Sequence, residues 1–186
     1  MKKINILIRN PFFSVLVLGL AIGCQASGST GVLPTTTRSS SLDVRFSPKG
    51  GCTELIIHTL GQAKNTVHVQ AYSFTSRPIA QALVDARRRG VDVEAILDKS
   101  QLTGRETQTS FLTQAGIPVR IDAAHAIAHN KVMVIDGETV LTGSFNFTEA
   151  AEDRNAENLL IVRDMELAER YEANWRKHKE HSKTYQ

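Results

Sequence analysis

The run His129-Asn130-Lys131-Val132-Met133-Val134-Ile135-Asp136, followed after six residues by Gly143-Ser144-Phe145-Asn146-Phe147, constrains this chain most. Val132 to Ile135 is unbroken, apolar and rich in β-branched residues, which reads as a buried strand. Asp136-Gly137 is a hairpin turn signal, because a type I′ turn needs positive φ at both central positions. Glu138 to Thr142 then returns as the second strand. With a two-residue loop, Ile135 faces Glu138, Lys131 faces Thr142 and His129 faces Ser144. Directly opposed residues, and residues two apart, share a sheet face. This count predicts one face carrying His129, Lys131 and Ser144, joined by Asn146. An imidazole, an ammonium, a hydroxyl and a carboxamide so placed can converge on one phosphate. A single bulge would break the count.

Global charge adds little. The chain of 186 residues has 22 Lys+Arg against 19 Asp+Glu, a formal charge of +3. Lys2, Lys3 and Arg9 are the only charges before Cys24, and removing these three from 22 leaves 19, equal to the acidic count. Electrostatics at large therefore favours no polyanion. The local clusters Arg87-Arg88-Arg89 and Arg176-Lys177 read as solvated helix faces.

Residues 1–23 read as a signal peptide: a basic start, then an apolar stretch from Phe12 to Ile22, too short for a bilayer span of ~20 residues. Ala21-Ile22-Gly23-Cys24 is similar to a bacterial lipobox, in which Cys24 becomes the lipidated first residue. Ordinary cleavage after Ala26 is the competing reading. Either exports the protein, as a periplasm-facing lipoprotein or a secreted enzyme. Loss or lipidation of Cys24 leaves Cys52 without an intrachain partner, so no disulfide framework is expected. Residues 24–41, rich in Ser and Thr, read as a flexible linker, and residues 42–186 as the folded domain.

Within that domain the pattern predicts a short strand at Val44–Ser47 and helices over Cys52–Lys64, Pro78–Arg89, Thr103–Ala115 and Met165–Lys179. Further strands are expected over Thr66–Phe74, Val91–Leu97, Ile117–Ile121 and Asn158–Val162. This order implies an α/β fold: a mixed β-sheet flanked by helices on both faces. His181-Ser182-Lys183 reads as a poorly ordered tail.

These residues carry a resemblance. His129-x-Lys131, Asp136 and Gly143-Ser144-x-Asn146 look like the HKD signature of the phospholipase D superfamily. The chance of that pattern arising at random is on the order of one in a million for this length. Val69-Gln70-Ala71-Tyr72-Ser73-Phe74-Thr75, Arg89-Gly90-Val91-Asp92-Val93 and Gly143 to Thr148 are similar to its secreted bacterial endonucleases, which have one motif per chain. The mitochondrial cardiolipin-hydrolase and piRNA-nuclease members are similar more distantly.

The resemblance implies two motifs per active site, hence a homodimer that shares one site between two copies. It implies His129 as nucleophile forming a phosphohistidine, with its mate as general acid and then base. Lys131 and Asn146 would stabilise the phosphoryl oxygens, and Ser144 would hold an oxygen or orient a neighbour. Glu157 stands where the family places a carboxylate that orients the histidine. Asp136, in its turn, is assigned to structure before chemistry. Lys99 and Arg105 are candidate phosphate-backbone contacts, and His125 a weaker substrate contact.

No cofactor is expected, and no Asp/Glu/His cluster at metal spacing is evident along the sequence. The leading expectation is a metal-independent endonuclease acting on nucleic acid. Two alternatives stand beside it. One is a phospholipase D or cardiolipin-type hydrolase, with membrane attachment through Cys24. The other is an inactive nucleic-acid-binding lipoprotein.

Overall fold

The computed structural model describes residues 41–186. The signal segment, Cys24 and the linker up to residue 40 lie outside the described residues. The elements run β1 (Ser41–Ser47), α1 (Cys52–Gly61), β2 (Thr66–Ala71), α2 (Arg77–Arg88), β3 (Asp92–Asp98), a 3-10 turn (Lys99–Leu102), α3 (Thr109–Gln114), β4 (Val119–Asp122), β5 (Lys131–Ile135), β6 (Thr139–Gly143), α4 (Glu149–Asp153), β7 (Glu157–Arg163), α5 (Met165–His181) and β8 (Lys183–Thr184).

The strands form one 8-stranded mixed sheet in the order β1-β7-β6-β5-β2-β3-β4-β8. β2, β3 and β4 are parallel, because α2 and α3 carry the chain back between them. The other pairings are antiparallel.

Strand alternation sorts the core into two layers. Met133, Ile135 and Leu141 enter the larger core with Ile56, Leu60, Ile79 and Leu83 of α1 and α2. Val132, Val134 and Val140 face the other way, onto Ala168, Leu167 and Tyr171 of α5. Trp175 of α5 is 2% exposed, and its indole donates to the Val69 carbonyl at 3.0 Å. His68 stacks on that indole with ring centroids 4.1 Å apart and meets Glu172 at 2.7 Å. Both are packing and anchoring contacts.

Helix ends follow the local sequence. Asp164 caps α5 through the Leu167 amide (2.8 Å), and Thr148 caps α4 through that of Ala151 (3.1 Å). At α1 the cap comes from far along the chain: Glu152 accepts from the Gly51 and Thr53 amides at 3.0 and 2.7 Å. Burial pushes the Glu152 carboxyl up, yet these hydrogen bonds outweigh it and hold it below its ordinary value.

Four expectations need correction. The hairpin register is Ile135↔Thr139, not Ile135 opposite Glu138. Asp136 and Gly137 do have positive φ (54° and 65°), and the Glu138 amide closes the turn on the Ile135 carbonyl at 3.1 Å. The Glu138 carbonyl, however, accepts from the Asp164 amide at 2.8 Å, and the ladder resumes one residue later.

The helix expected from Thr103 begins only at Thr109. A side chain at Gly104 would meet Thr107 Cγ2 at 2.8 Å, and Glu106 has φ 64°, so this stretch turns instead. The first strand is longer than expected, starting at Ser41.

The C-terminus, finally, is not a loose tail. α5 continues through His181, the Arg120 guanidinium donates to the Ser182 carbonyl at 2.6 Å, and β8 pairs with β4.

Candidate active site

One end of the sheet gathers the chemistry. Ala71 at the end of β2 pairs with Lys131 at the start of β5, and the Tyr72 amide donates to the Asn130 carbonyl at 2.8 Å. Gly143 pairs with Leu159 near the start of β7, and Ser47 pairs with Glu157. The ends of β2, β6 and β1 and the starts of β5 and β7 therefore lie together. Ligand sites collect at such an edge, beyond the carboxyl ends of parallel strands.

His129 is exposed just before β5, whereas Lys131 is 6% exposed. The Lys131 ammonium donates to the carbonyl of His129 at 2.7 Å. Tyr72 joins the two residues. Its ring centroid lies 4.5 Å from that of His129, and the Lys131 Nζ stands 5.0 Å from it on the ring face. Burial pulls the Lys131 ammonium below its ordinary value, while the charge of Glu157 opposes that shift. The result is a buried cation whose hydrogen-bond partner is a neutral carbonyl.

Gly143 explains how Ser144 arrives. Its φ is 144°, and a Cβ there would sit 2.3 Å from the Asn158 carbonyl oxygen, so only glycine fits. The Ser144 and Phe145 amides then both donate to that carbonyl, at 3.1 and 3.2 Å. Two residues opposite one is a bulge, and it re-aims the strand. Phe145 and Phe147 turn fully inward, while Ser144 is exposed. The Ser144 hydroxyl oxygen accepts from the Asn158 amide (3.0 Å) and its Nδ2 (3.3 Å). Its own proton stays available to an incoming oxygen.

Asn146 has a buried Oδ1 with no partner. Rotating the amide by a half turn exchanges oxygen and nitrogen, so the same position can present N–H donors to a phosphoryl oxygen.

The other sequence candidates divide. Glu157 is half-buried and accepts from Asn155 Nδ2 at 3.1 Å; its charge acts on Lys131. Asp136 lies at the opposite end of β5, roughly 20 Å along the strand from His129. There it accepts the backbone amides of Lys64, Asn65 and Thr66 at 2.9, 2.7 and 2.9 Å. Lys99 donates to the His125 carbonyl at 3.0 Å, and Arg105 is exposed in the turn before α3.

A cleft of about 750 Å³ opens beside this end, between the starts of α1 and α2. Glu54, Glu149, Glu152 and Asp153 line it against Lys49 and Arg77, so its formal charge is net acidic.

Tyr72 and Asn158 are the active-site neighbours that residue-by-residue reading of the chain misses. Tyr72 carried a signal, since it directly follows the Thr66–Ala71 strand and so belongs to the loops at the functional edge. A second group was also missed: Asp122, His125, His178 and His181 offer ligand atoms all within 4.8 Å of one another. The expectation that the chain has no such cluster is corrected. The two pairs are over fifty residues apart in sequence, and only the packing of α5 beside β4 unites them.

A family profile described as "Cardiolipin synthase, PLD-like domain" matches residues 56–179. The chain is 46% identical over 130 residues to a phospholipase D of Rickettsia typhi, covering 70% of this chain and 64% of that relative. It is 36% identical over 118 residues to the mitochondrial cardiolipin hydrolase of Xenopus laevis, with coverages of 63% and 56%. It thus spans between half and two thirds of these relatives' lengths. The crystal structure of Nuc from Salmonella typhimurium, a phospholipase D family member, superposes with a TM-score of 0.76 at 38% identity. That superposition covers 80% of this chain and 99% of Nuc.

The fold is that of the phospholipase D-like proteins. The chain belongs to the phospholipase D superfamily.

Proposed function

We propose that this protein is a metal-independent endonuclease that cleaves nucleic-acid phosphodiesters through a phosphohistidine, with one active site shared by two copies. The observation that carries the reading is the exposed His129 beside a buried Lys131 that donates to a backbone carbonyl, with spare hydrogen-bonding capacity on Ser144 and Asn146.

In the first step the imidazole of His129 attacks phosphorus. Lys131, Asn146 and Ser144 hold charge that builds on the non-bridging oxygens, and the second copy's imidazole protonates the leaving alkoxide. In the second step that imidazole removes a proton from water, which attacks phosphorus and releases His129.

The chain has a single HKD motif, so the second histidine is assigned to a second copy. His181, the only other histidine in a His-x-Lys sequence, is held against Asp122 at 3.2 Å. An exposed apolar stripe supports a second copy. Leu42, Val44 and Phe46 of β1 are 63%, 40% and 66% exposed. They oppose Val162, Leu160 and Asn158 of β7, and Val162 in turn opposes Val140, whose face α5 covers. The stripe thus lies on the α5 face of the sheet, at its β1 edge, and reaches the functional end at Phe46. An apolar strip of this kind suits an isologous interface.

Plasmid DNA incubated in excess EDTA at 25 °C tests the chemistry. Wild-type protein cuts, and His129→Asn does not. Abolition of wild-type cutting by chelator contradicts the mechanism.

The names of the curated relatives favour a second reading, hydrolysis of a phospholipid head group by the same residues. Head-group release from phosphatidylcholine or cardiolipin vesicles, compared with plasmid nicking at equal enzyme, separates the two.

A further inference from the structure

Beyond that active site lies the histidine cluster that its chemistry does not use. Asp122 ends β4, and His125 follows in the segment leading to His129. His178 and His181 stand three apart on the last turn of α5, and so share a helix face.

We propose that Asp122, His125, His178 and His181 bind one divalent transition cation, zinc above all, as a structural staple between the end of α5 and the segment that carries His129.

The geometry matches four ligands around one ion. Asp122 Oδ2 lies 2.7 Å from His178 Nδ1, 3.2 Å from His181 Nε2 and 3.8 Å from His125 Nε2. A tetrahedron with ligand bonds of ~2.0–2.1 Å has edges of about 3.3 Å, within that range. The three imidazole centroids are 5.0, 5.2 and 5.2 Å apart, an almost equilateral arrangement.

Hydrogen bonding alone leaves the group half used. Oδ2 takes His178 and His181, while His125 at 3.8 Å is out of reach. A metal employs all three rings at once.

The donor set selects the ion. Three imidazoles and one carboxylate suit zinc, nickel, copper or iron; calcium and magnesium require mostly oxygen ligands.

The surroundings already hold these ligands in place. Asp122 Oδ1 accepts from the Ala124 amide at 3.1 Å, which fixes the carboxylate while Oδ2 faces the rings. The Ser182 hydroxyl and amide both donate to the His178 carbonyl, at 2.6 and 3.1 Å, securing the helix end. An entry path also exists: the Asp122 side chain is fully buried, while that of His125 is 47% exposed.

The staple bears on the active site through the chain. Lys99 donates to the His125 carbonyl, and Asp98 Oδ2 accepts from the Ala128 amide at 2.8 Å. Residues 125–128 are thus held on both sides, one residue short of His129. The metal supports position and stability and takes no part in the phosphoryl transfer.

The test uses the whole chain, stripped with chelator, reloaded with zinc and passed through a desalting column. Expected are one zinc per chain by elemental analysis, a higher melting temperature than the stripped protein, and intense visible absorption when cobalt replaces zinc. The His129→Asn variant should also retain one zinc, which separates this site from the active site.

His125→Ala and His181→Ala should each weaken zinc binding about 100-fold, whereas His58→Ala, on exposed α1 surface, should not. His125 is the most exposed of the three ligating rings, so its loss leaves the fold intact, as circular dichroism can verify. No retained zinc, or zinc retained equally by the double variant His125→Ala/His181→Ala, overturns the proposal. Because the inference does not rest on the nuclease reading, metal content and melting temperature decide it whatever the substrate. Loss of cutting in EDTA well below the melting temperature would count against the phosphohistidine chemistry instead.

Discussion

The two ends of β5 make an instructive contrast. At one end Asp136 accepts three backbone amides, and its hydrogen-bonding capacity is largely used. At the other, Lys131 is buried against a neutral carbonyl, Asn146 has an orphan amide atom, and Ser144 has a proton to spare. Buried polar groups are normally satisfied, since leaving one unpaired costs about 1–3 kcal/mol. The satisfied end is where the fold is held. The unsatisfied end is the one proposed to take the phosphate. Both aspartate and lysine belong to the same HKD signature, yet they serve different purposes.

Four substitutions or conditions sharpen that contrast. His129→Asn should lower turnover of a phosphodiester by at least ~10³-fold with unchanged melting temperature, because the residue is exposed and the variant loses only its nucleophile. Steady-state kinetics beside thermal melts would show it. An equal loss of stability would mean that this end, too, is structural.

Lys131→Met should lower kcat about 10²–10³-fold while the protein stays as stable or becomes more so, since an apolar side chain of similar length replaces a buried charge.

Asp136→Ala should do the reverse. Three backbone amides lose their acceptor, and urea unfolding should show a loss of about 2–4 kcal/mol. Turnover per folded molecule should stay near wild type. A large fall in kcat without unfolding would return Asp136 to the chemistry.

The acid limb of stability gives a smaller effect. Glu152, Asp98 and Asp122 all have carboxyls held below their ordinary values. A depressed carboxyl contributes stability that is present above the unfolded value of ~4 and is lost as pH falls through the lower folded value. Stability should therefore drop below about pH 4. Glu152→Gln should flatten that drop while lowering the plateau, as measured by urea midpoints across pH.

Much of this contrast is written along the chain, and some of it is not. The unbroken apolar run of Val132 to Ile135, the Asp136-Gly137 turn and the strand-helix order led to the mixed sheet and to one end rich in chemistry. The turn assignment of Asp136 also came from its position beside a glycine.

What the local pattern lacks is register. Glu138 satisfies the turn's own hydrogen bond, but Asp164, more than twenty residues later, claims its carbonyl and shifts the ladder by one. The bulge at Ser144 and Phe145 depends on the Asn158 carbonyl, again a distant partner. The unbroken ladder from which the face-sharing of His129, Lys131 and Ser144 was expected is therefore interrupted twice.

The histidine cluster was hidden for a related reason. Asp122 and His125 look like a strand end, His178 and His181 like a polar helix tail, and only tertiary packing brings them to one point.

In the proposed mechanism the HKD cluster of one chain is half an active site. Mixing wild-type and His129→Asn chains by joint refolding, at a series of wild-type fractions and fixed total protein, tests it most directly. If two copies of His129 serve each site, total activity follows the square of the wild-type fraction, because only wild-type pairs carry both imidazoles. Activity strictly proportional to the wild-type fraction would show that one chain suffices, and would contradict the shared site.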